Sequence, residues 1–498
     1  MIYNEHIYNE ALGKIEDKVM AMVGKKLSDF GMISPQRTTE NELSDEIIRE
    51  TNYDIPALQQ QVAELVPRLL PEQKRVFDKV LGQIESGNGA LFFLDAPGGT
   101  GKTFLLNLLL AQVRKDKNIA VAAASSGIAA TLLSGGRTAH SVLKLPLNLA
   151  QEESPIFNFS KNSARGIMLR QCKLLVWDES TMSHKKAVET LNRTLQDLRS
   201  NTDVMGGMVV LLAGDFRQTL PVIQKGTAAD EIKACLKSSI LWNKVTKFSL
   251  TTNMRVHLYN DVNAGNYADT LLKIGDGRLE TDAEDCVKLT RDFCNLVQNH
   301  SELIPSVYSD LTNNMHEDKR LCERAILAPK NESVNKINSD ILSEVGKEIT
   351  EYLSVDTVVD TEQSTSYPVE FLNSLELLGV PSHKLQLKLG VPVMLLRNLD
   401  APRLCNGTRL RVTHLGRNII GGTIMTGVGK GENVIIPRIP ITSTDLSFQF
   451  KRLQFPIKLS FAMTINKAQG QTLQVAGVNL EKPYHWSILR RLIADWKH

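Results

Sequence analysis

The chain has 498 residues, of which 42% are hydrophobic and 23% are charged. This length and composition predict several folded domains with large cores, which excludes a disordered protein and a disulfide-stabilised miniprotein. The 58 Lys and Arg against 55 Asp and Glu leave a net charge of +3, so any nucleic-acid site must be a local groove. The six cysteines contain no Cys-x-x-Cys pair, so we expect reduced thiols and no zinc site.

The first 66 residues combine amphipathic stretches with an acidic, turn-rich segment. They predict an accessory segment that is helical or partly disordered, with no recognisable chemistry. From Pro71 onwards, short apolar runs alternate with segments of helical periodicity, and the runs lie at residues 90–95, 119–123, 173–177 and 208–213. Apolar runs of this kind are typical of strands buried on both faces, so we predict a doubly wound α/β fold with a parallel sheet.

A second α/β unit is indicated by apolar runs at residues 324–328 and 457–463. Between them, β-like runs at residues 391–397, 409–412 and 434–436 alternate with glycine-rich turns, which predicts a small inserted β-barrel. The predicted organisation is therefore an accessory segment (1–66), a first lobe (67–250), a second lobe (251–384 and 457–498) and the barrel (385–456).

A glycine-rich turn follows the strand that ends at Asp95 and precedes the apolar helix that begins near Phe104. This order of strand, turn and helix is that of a P-loop, in which backbone N–H groups and the helix N-terminus hold phosphate oxygens. Lys102 is expected to reach the β- and γ-phosphates of ATP, and Thr103 to supply a hydroxyl to Mg²⁺. Ala96 replaces the first glycine of the strict pattern, and the candidate nucleotide-binding residues of the loop are Gly98, Gly99, Thr100, Gly101, Lys102 and Thr103.

Two further strand ends carry polar side chains that suit hydrolysis of ATP. Asp178 and Glu179 follow a buried strand, where the first acid would hold Mg²⁺ and the second would act as general base. The alternative is that this pair only caps the next helix. Gln218 follows the strand at residues 208–213 and would sense the γ-phosphate or the attacking water, unless it is simply a polar turn residue.

These residues occur in order with Gly136-Arg-Thr-Ala-His-Ser141, Thr252-Asn-Met-Arg255 and Phe461-Ala-Met-Thr-Ile-Asn-Lys-Ala-Gln-Gly-Gln-Thr472. The set resembles the petite-integration-frequency (PIF-like) DNA helicases, and is most similar to the helicase module of Helitron transposons. The resemblance implies two RecA-like P-loop lobes, an inserted Src-homology-three-like barrel, and ATP-driven movement from 5′ to 3′ on single-stranded DNA. It also implies that Gln73 recognises adenine and that Arg255 is the arginine finger.

By the same resemblance, ten small polar or basic residues match positions that contact DNA in relatives. They suit phosphate contacts without sequence recognition. The partners implied are single-stranded DNA and forked or tailed duplexes, bound by a monomer in the nucleus, with roles in recombination, repair and telomere maintenance. The matching residues are Ser125, Ser126, Thr138, His140, Ser141, Lys330, Asn331, Thr464, Asn466 and Lys467. Each one is alternatively a helix cap or a turn residue.

The resemblance ends before the last helicase motif, in which relatives carry a Ser-Arg or Thr-Arg pair whose arginine contacts the γ-phosphate. Residues 481–498 do not contain that pair. A catalytically impaired remnant of a transposon, which binds ATP and DNA, therefore remains the alternative to an active helicase. A P-loop ATPase that remodels proteins is disfavoured, because that class does not need the motif at residues 464–472.

Overall fold

The computed structural model describes the larger part of the chain as two compact units. We call residues 37–294 the P-loop unit, and residues 1–36 with 295–484 the split unit. None of the helices in the described residues is long and apolar enough to cross a bilayer. The described residues are 5–23, 25–36, 46–146, 149, 152, 155–157, 159–218, 220–223, 226–254, 262–280, 289–291, 293–358, 367–377, 379–443, 446 and 448–480.

Helices with described bounds occur in both units. Up to residue 276 they are α1 (Glu5–Val23), α2 (46–51), α3 (Ile55–Leu65), α4 (Pro71–Glu85), α5 (Lys102–Lys115), α6 (Gly127–Leu132), α7 (Ala139–Leu143), α8 (Ala164–Gln171), α9 (Lys185–Arg199), α10 (Ala228–Ala234) and α11 (Val262–Asp276). Beyond it they are α12 (His300–Val307), α13 (Leu311–Asn314), α14 (Asp318–Cys322), α15 (Asn331–Glu344), α16 (Val369–Ser374) and α17 (Ile465–Ala468).

The P-loop unit is built on a six-stranded parallel sheet. Its strands are β1 (Ala90–Asp95), β2 (Ala120–Ala124), β3 (Arg137–Thr138), β4 (Leu174–Asp178), β5 (Val209–Gly214) and β6 (Thr246–Ser249). They lie in the order β3-β2-β4-β5-β1-β6. Separate clusters of buried apolar side chains cover the two faces of the sheet. The central strands β4 and β5 are therefore buried along their whole length, as expected for a parallel sheet.

The split unit combines a parallel sheet with antiparallel sheets. The parallel sheet has the order β18-β7-β19, from β7 (Arg324–Ala328), β18 (Ala462–Thr464) and β19 (Val475–Val478). The strands of the antiparallel sheets are β8 (Thr350–Leu353), β9 (Val355–Val358), β10 (Lys384–Leu387), β11 (Pro392–Leu395), β12 (Arg409–Leu415), β13 (Ile419–Ile424), β14 (Asn433–Pro437), β15 (Ile439–Ser443), β16 (Phe450–Gln454) and β17 (Ile457–Leu459). These sheets have the orders β14-β13-β12-β11-β17, β15-β16-β9 and β10-β8.

The predicted fold class is confirmed, since a parallel α/β core is joined by additional antiparallel sheets. The predicted strand at residues 457–463 is two strands. Its first half pairs antiparallel with β11, and its second half pairs parallel with β7, so the chain changes sheets at Ser460 and Phe461. Hydrophobic periodicity does not show this change, because each half has only three residues and all of them are buried or half-buried.

The grouping of residues differs from the predicted domain boundaries in three places. Residues 262–280 cluster with the P-loop unit, because Asp276 at the end of α11 pairs with Arg217. Residues 1–36 cluster with the split unit. The antiparallel region begins at Thr350, before residue 385, because β9 pairs with β16 and β8 pairs with β10.

Candidate active site

The turn between β1 and α5 has the backbone conformation that a phosphate-binding loop needs. Gly99 and Gly101 have φ angles of +83° and +80°, in the left-handed region that favours glycine. A Cβ added at Gly101 would lie 2.7 Å from Gln73 Nε2, and one at Gly99 would lie 3.1 Å from Asn253 Oδ1. Because α5 begins at Lys102, the unpaired N–H groups of its first turn face this loop and suit an anion.

Lys102 contacts both predicted catalytic acids at the carboxyl end of β4. Its Nζ lies 2.7 Å from Asp178 Oδ1 and 2.6 Å from Glu179 Oε1, and only 11%, 2% and 11% of the three side chains are exposed. Burial alone would lower the pKa of Lys102, but the two carboxylates raise it above its ordinary value. The structure therefore joins the predicted phosphate-binding lysine to the predicted metal ligand and general base.

Glu179 has a strained backbone. Its φ of +52° lies in the left-handed region, which costs a non-glycine residue about 1 kcal/mol or more. Its N–H donates to the side chain of Asp178 over 2.8 Å, which fixes the two acids relative to each other. The alternative interpretation, that the pair only caps the next helix, does not explain Glu179. Its side chain makes no cap hydrogen bond to the short 3₁₀ turn that follows.

The first turn of α4 contacts both the P-loop and the segment at residues 251–252. Gln73 is 1% exposed, and its amide accepts from Leu70 N over 3.1 Å and donates to Thr100 O over 3.1 Å. Glu72 accepts hydrogen bonds from Thr251 N and Oγ1 at 3.1 Å and from Thr252 N at 3.0 Å. The amide of Gln73 keeps one further donor and one further acceptor position for a base.

The chain that follows Thr252 also contacts the P-loop directly. Met254 N donates to Gly99 O over 2.9 Å. Glu72 and this bond together hold residues 251–254, the last described residues before Arg255. The predicted arginine finger itself lies outside the described residues, as does the segment 481–498.

Gln218 lies beside β5 in a charged cluster. Gln218 is 7% exposed, and its amide N–H donates to Asp215 Oδ2 over 3.5 Å. Asp215 therefore helps to fix the orientation of this amide. Arg217 contacts Asp215 at 3.3 Å and Asp276 at 2.6 Å, and lies 3.9 Å from Asp95. Burial and the charge of Asp215 raise the pKa of Asp95.

The predicted DNA contacts of the P-loop unit lie at the carboxyl ends of the parallel strands, where Asp178 and Glu179 also lie. Ala124, the last residue of β2, is in register with Thr138 on one side and Asp178 on the other. Ser125 N donates to Asp178 O over 3.1 Å. Ser125 Oγ accepts from Trp177 Nε1 over 3.0 Å and lies 2.8 Å from Ser183 Oγ.

Two of these residues cap helices, as the alternative interpretation allowed. Ser126 Oγ accepts from Ala129 N at the start of α6, and Thr138 Oγ1 accepts from Ser141 N at the start of α7. His140 and Ser141 are exposed on α7. A cap uses one lone pair of the hydroxyl oxygen, so the Ser126 and Thr138 hydroxyls can still donate to a phosphate.

The split unit brings its own predicted DNA contacts together. Thr464, at the end of β18, is in register with Ala328 of β7. Lys330 and Asn331 follow β7 at the start of α15, and Asn466 follows Thr464 in α17. Because parallel strands end at the same edge of a sheet, these four residues belong to one sheet edge.

Lys467 lies in a positively charged environment within the split unit. Its Nζ donates to Asn406 Oδ1 over 2.7 Å. Burial, Lys458 and Arg397 lower the pKa of Lys467 to about 8. An anion at this position would relieve the repulsion between the cations, which suits a phosphate contact.

Sequence reasoning missed Glu72, Asp215, Arg217 and Asp276. Arg217 stands in the Gly214-Asp-Phe-Arg-Gln segment, so its charge was visible, but its partner is 59 residues away in sequence. Glu72 immediately precedes Gln73, yet its partners are 179 and 180 residues away. Spacing therefore offered no signal for either contact.

The residues at the acid pair fit a Mg²⁺ ion by their chemistry. Thr103 offers a hydroxyl and Asp178 a buried carboxylate, both oxygen ligands of the kind that Mg²⁺ prefers when phosphate and water complete the shell. Within the described part of the chain, no cluster of three His, Cys, Asp or Glu side chains could hold a metal alone. The ion would thus need the nucleotide as a ligand.

Two family models match the chain. Residues 68–285 match the model of PIF1-like helicases, and residues 370–415 match that of the 2B domain of DNA helicase Pif1. The first match contains the P-loop, both acids and Gln218. The second overlaps the antiparallel region of the split unit.

The chain is similar to proteins described as ATP-dependent DNA helicases. It is 27% identical to the Bdellovibrio bacteriovorus protein Pif1 over 420 residues, 83% of each chain. It is 27% identical to Candida albicans PIF1 over 368 residues, 72% of this chain but only 36% of that protein. The crystal structure of Bacteroides Pif1 in complex with ADP-AlF3 and single-stranded DNA shares the fold, with a TM-score of 0.57, 21% identity and coverage of 84% of this chain and 90% of the other.

Proposed function

We propose that the chain is a PIF1-like helicase, a DNA-stimulated ATPase that moves along single-stranded DNA and unwinds duplexes, as its matches to two family models support. The contact of Lys102 with both Asp178 and Glu179 carries this proposal. It joins the groups that a phosphoryl transfer to water needs: a cation for the phosphates, a carboxylate for a metal and a base for the water. The relatives are described as ATP-dependent DNA helicases, which supports the same chemistry.

In the proposed mechanism, the triphosphate competes with the two carboxylates for the ammonium group of Lys102. Once Lys102 contacts the phosphates, Asp178 is available to hold Mg²⁺, which would neutralise developing charge on the phosphate oxygens. Glu179 is then available to accept a proton from water. Gln73 contributes the adenine contact, and Gln218 orients the water or the γ-phosphate.

The link from hydrolysis to DNA runs through the carboxyl edge of the parallel sheet. The backbone N–H of Ser125 donates to Asp178 O, and its side chain accepts a hydrogen bond from Trp177. A DNA strand bound at Ser125 would therefore affect residues that lie at or next to the catalytic acids. We propose that DNA contacts here and at Thr464 and Lys467 do not recognise bases, because the residues are small hydroxyls and single cations.

The decisive experiment measures ATP hydrolysis by the purified chain with and without single-stranded DNA. We expect stimulation by DNA, its loss in Lys102→Ala, and no change in Lys173→Ala, where the exposed side chain lies away from the loop. Glu179→Gln should bind ATP but turn over roughly 10²- to 10⁴-fold more slowly. DNA binding without stimulated hydrolysis would favour the catalytically impaired remnant. Absence of both would refute the helicase assignment.

We further propose movement from 5′ to 3′ as a monomer, in the nucleus, in recombination, repair and telomere maintenance. These finer statements rest on the family resemblance of the sequence motifs. Strand separation on duplexes with a 5′ or a 3′ single-stranded tail tests the direction, because a 5′-to-3′ enzyme unwinds only the first. The dependence of the rate on enzyme concentration tests the monomer.

A further inference from the structure

A buried charge network joins the acidic segment before the ATPase core to the predicted DNA-contact segment. Glu46 and Glu50 lie on α2, and both pair with Arg137 of β3, at 3.3 Å and 2.5 Å. Glu46 also pairs with Arg165 at 2.6 Å. Arg137 immediately precedes Thr138, so the network ends beside the residues that we assign to DNA.

Most of this network is removed from solvent. Glu50 is 1% exposed, and the side chains of Glu46, Arg137 and Arg165 are 18%, 14% and 15% exposed. A second cation, Arg114, lies 3.9 Å from Glu50 Oε2, which accepts no hydrogen bond within the described residues. Removing one member of a buried pair leaves an uncompensated charge, so each pair strongly constrains the positions of its partners.

A second set of contacts, made by Arg114 and Tyr53, lies next to the charge network. The guanidinium of Arg114 lies 4.4 Å from the ring centre of Tyr53, and donates to Ser134 O over 2.7 Å and to Ala120 O over 2.8 Å. The hydroxyl of Tyr53 is so close to Gly135 that a Cβ there would meet it at 2.5 Å. Residues 46–54 therefore contact both the turn before β3 and β3 itself.

The DNA-contact segment needs such support because its own secondary structure is minimal. The strand β3 has two residues, lies at the edge of the sheet and pairs only with Ala123 and Ala124 of β2. The helix α7 that follows has five residues. Short edge elements with few backbone hydrogen bonds open easily, so side-chain contacts decide where they lie.

We propose that residues 46–54 are a positioning element of the DNA site, in which Glu46 and Glu50 hold Arg137 and thereby place Thr138, His140 and Ser141 for contact with the strand. This inference rests on the proposed function and adds a role for the accessory segment. Arg137 and Arg165 are held by carboxylates, so they position the segment and do not bind phosphate. Lost pairing should therefore weaken DNA binding.

The test compares Glu50→Gln and the double variant Glu46→Gln/Glu50→Gln with wild type in the full chain. Glu64→Gln is the matched control, because Glu64 is exposed on the neighbouring helix α3. The measurements are the Kd for single-stranded DNA, the DNA concentration at half-maximal stimulation of ATP hydrolysis, and kcat and KM for ATP without DNA. Glu50→Asp keeps the charge and should recover part of the affinity.

We expect the first two quantities to rise roughly tenfold in the double variant, which corresponds to about 1.4 kcal/mol. The kcat and KM for ATP without DNA should equal the wild-type values, which separates positioning from a general loss of folding. The slope of log Kd against log salt concentration should stay unchanged, because no phosphate contact is gained.

Unchanged DNA affinity in the double variant would overturn the inference. Tighter binding with a steeper salt slope would also overturn it, because Arg137 would then be a phosphate ligand that the acids block. If wild type binds DNA without stimulated hydrolysis, the proposed function fails while the comparison of Kd values still tests the positioning role. If wild type does not bind DNA, both proposals fail.

Discussion

The contact of Lys102 with Asp178 and Glu179 predicts that Lys102→Met destabilises the P-loop unit in the absence of nucleotide. The substitution keeps most of the side-chain volume but leaves two carboxylates, 2% and 11% exposed, without their shared cation. Breaking a buried ion pair by removing one partner costs about 3–5 kcal/mol. For a unit of this size, each kcal/mol lowers the unfolding midpoint by about 2–4 °C, so we expect a decrease of at least about 6 °C.

A second lysine gives a control with the same chemistry and a different environment. Lys74 lies 2.7 Å from Asp78 Oδ1, the same distance as between Lys102 and Asp178, but the two side chains are 43% and 56% exposed. An exposed pair of this spacing contributes about 0.3–0.5 kcal/mol. Lys74→Met should therefore shift the midpoint by no more than about 2 °C.

The assay is thermal unfolding followed by circular dichroism, without ATP, Mg²⁺ or DNA. Glu179→Gln added to Lys102→Met should recover about 1–2 kcal/mol, because one of the two uncompensated charges is removed. Equal midpoints for Lys102→Met and wild type would refute the reasoning, since the ammonium group would then not hold the two acids together in the free protein. Failure of Glu179→Gln to recover stability would place the cost elsewhere.

Three further predictions concern Glu72 in the P-loop unit and Lys467 in the split unit. Glu72→Ala removes the acceptor for Thr251 and Thr252 and so loosens the chain before Arg255; kcat for DNA-stimulated hydrolysis should fall about ten- to a hundredfold in steady-state assays, and an unchanged kcat would contradict this positioning. The affinity for single-stranded DNA should fall as the pH rises through about 8, because Lys467 then loses its proton, whereas Lys467→Arg should remove this step from the Kd profile. The lowered pKa has the opposite effect on folding: the unfolded chain binds more protons between about pH 8 and 10.4, so stability should rise across that interval.

The sequence predicted the parts of the fold that depend on burial. The run at residues 90–95 becomes β1 with the same bounds, because a strand buried on both faces is apolar from end to end. Residues 137–138 gave no such signal, since a two-residue edge strand is half-buried and defined by its neighbour β2. The β8 and β9 strands alternate buried and exposed residues too briefly to be recognised alone.

The residues of the site could likewise be predicted where a local motif identifies them, but not where they depend on contacts between residues far apart in sequence. Lys102, Asp178 and Glu179 were predicted to act together because each motif has a fixed place at the end of a parallel strand, and the structure brings their side chains together. Glu46 and Glu50 were interpreted only as part of an acidic segment. Their partner Arg137 is 91 and 87 residues away, and charge patterning does not identify the partner of a charge.

The hydrogen bond between Trp177 and Ser125 gives the protein an internal optical probe. The indole is fully buried and its N–H has the Ser125 hydroxyl as acceptor, so its emission energy depends on where that oxygen is directed. A DNA strand that binds the same hydroxyl would change the polarity around the ring. In a variant whose other three tryptophans are replaced, fluorescence can thus follow the occupancy of this edge of the sheet, one residue away from the carboxylate of Asp178.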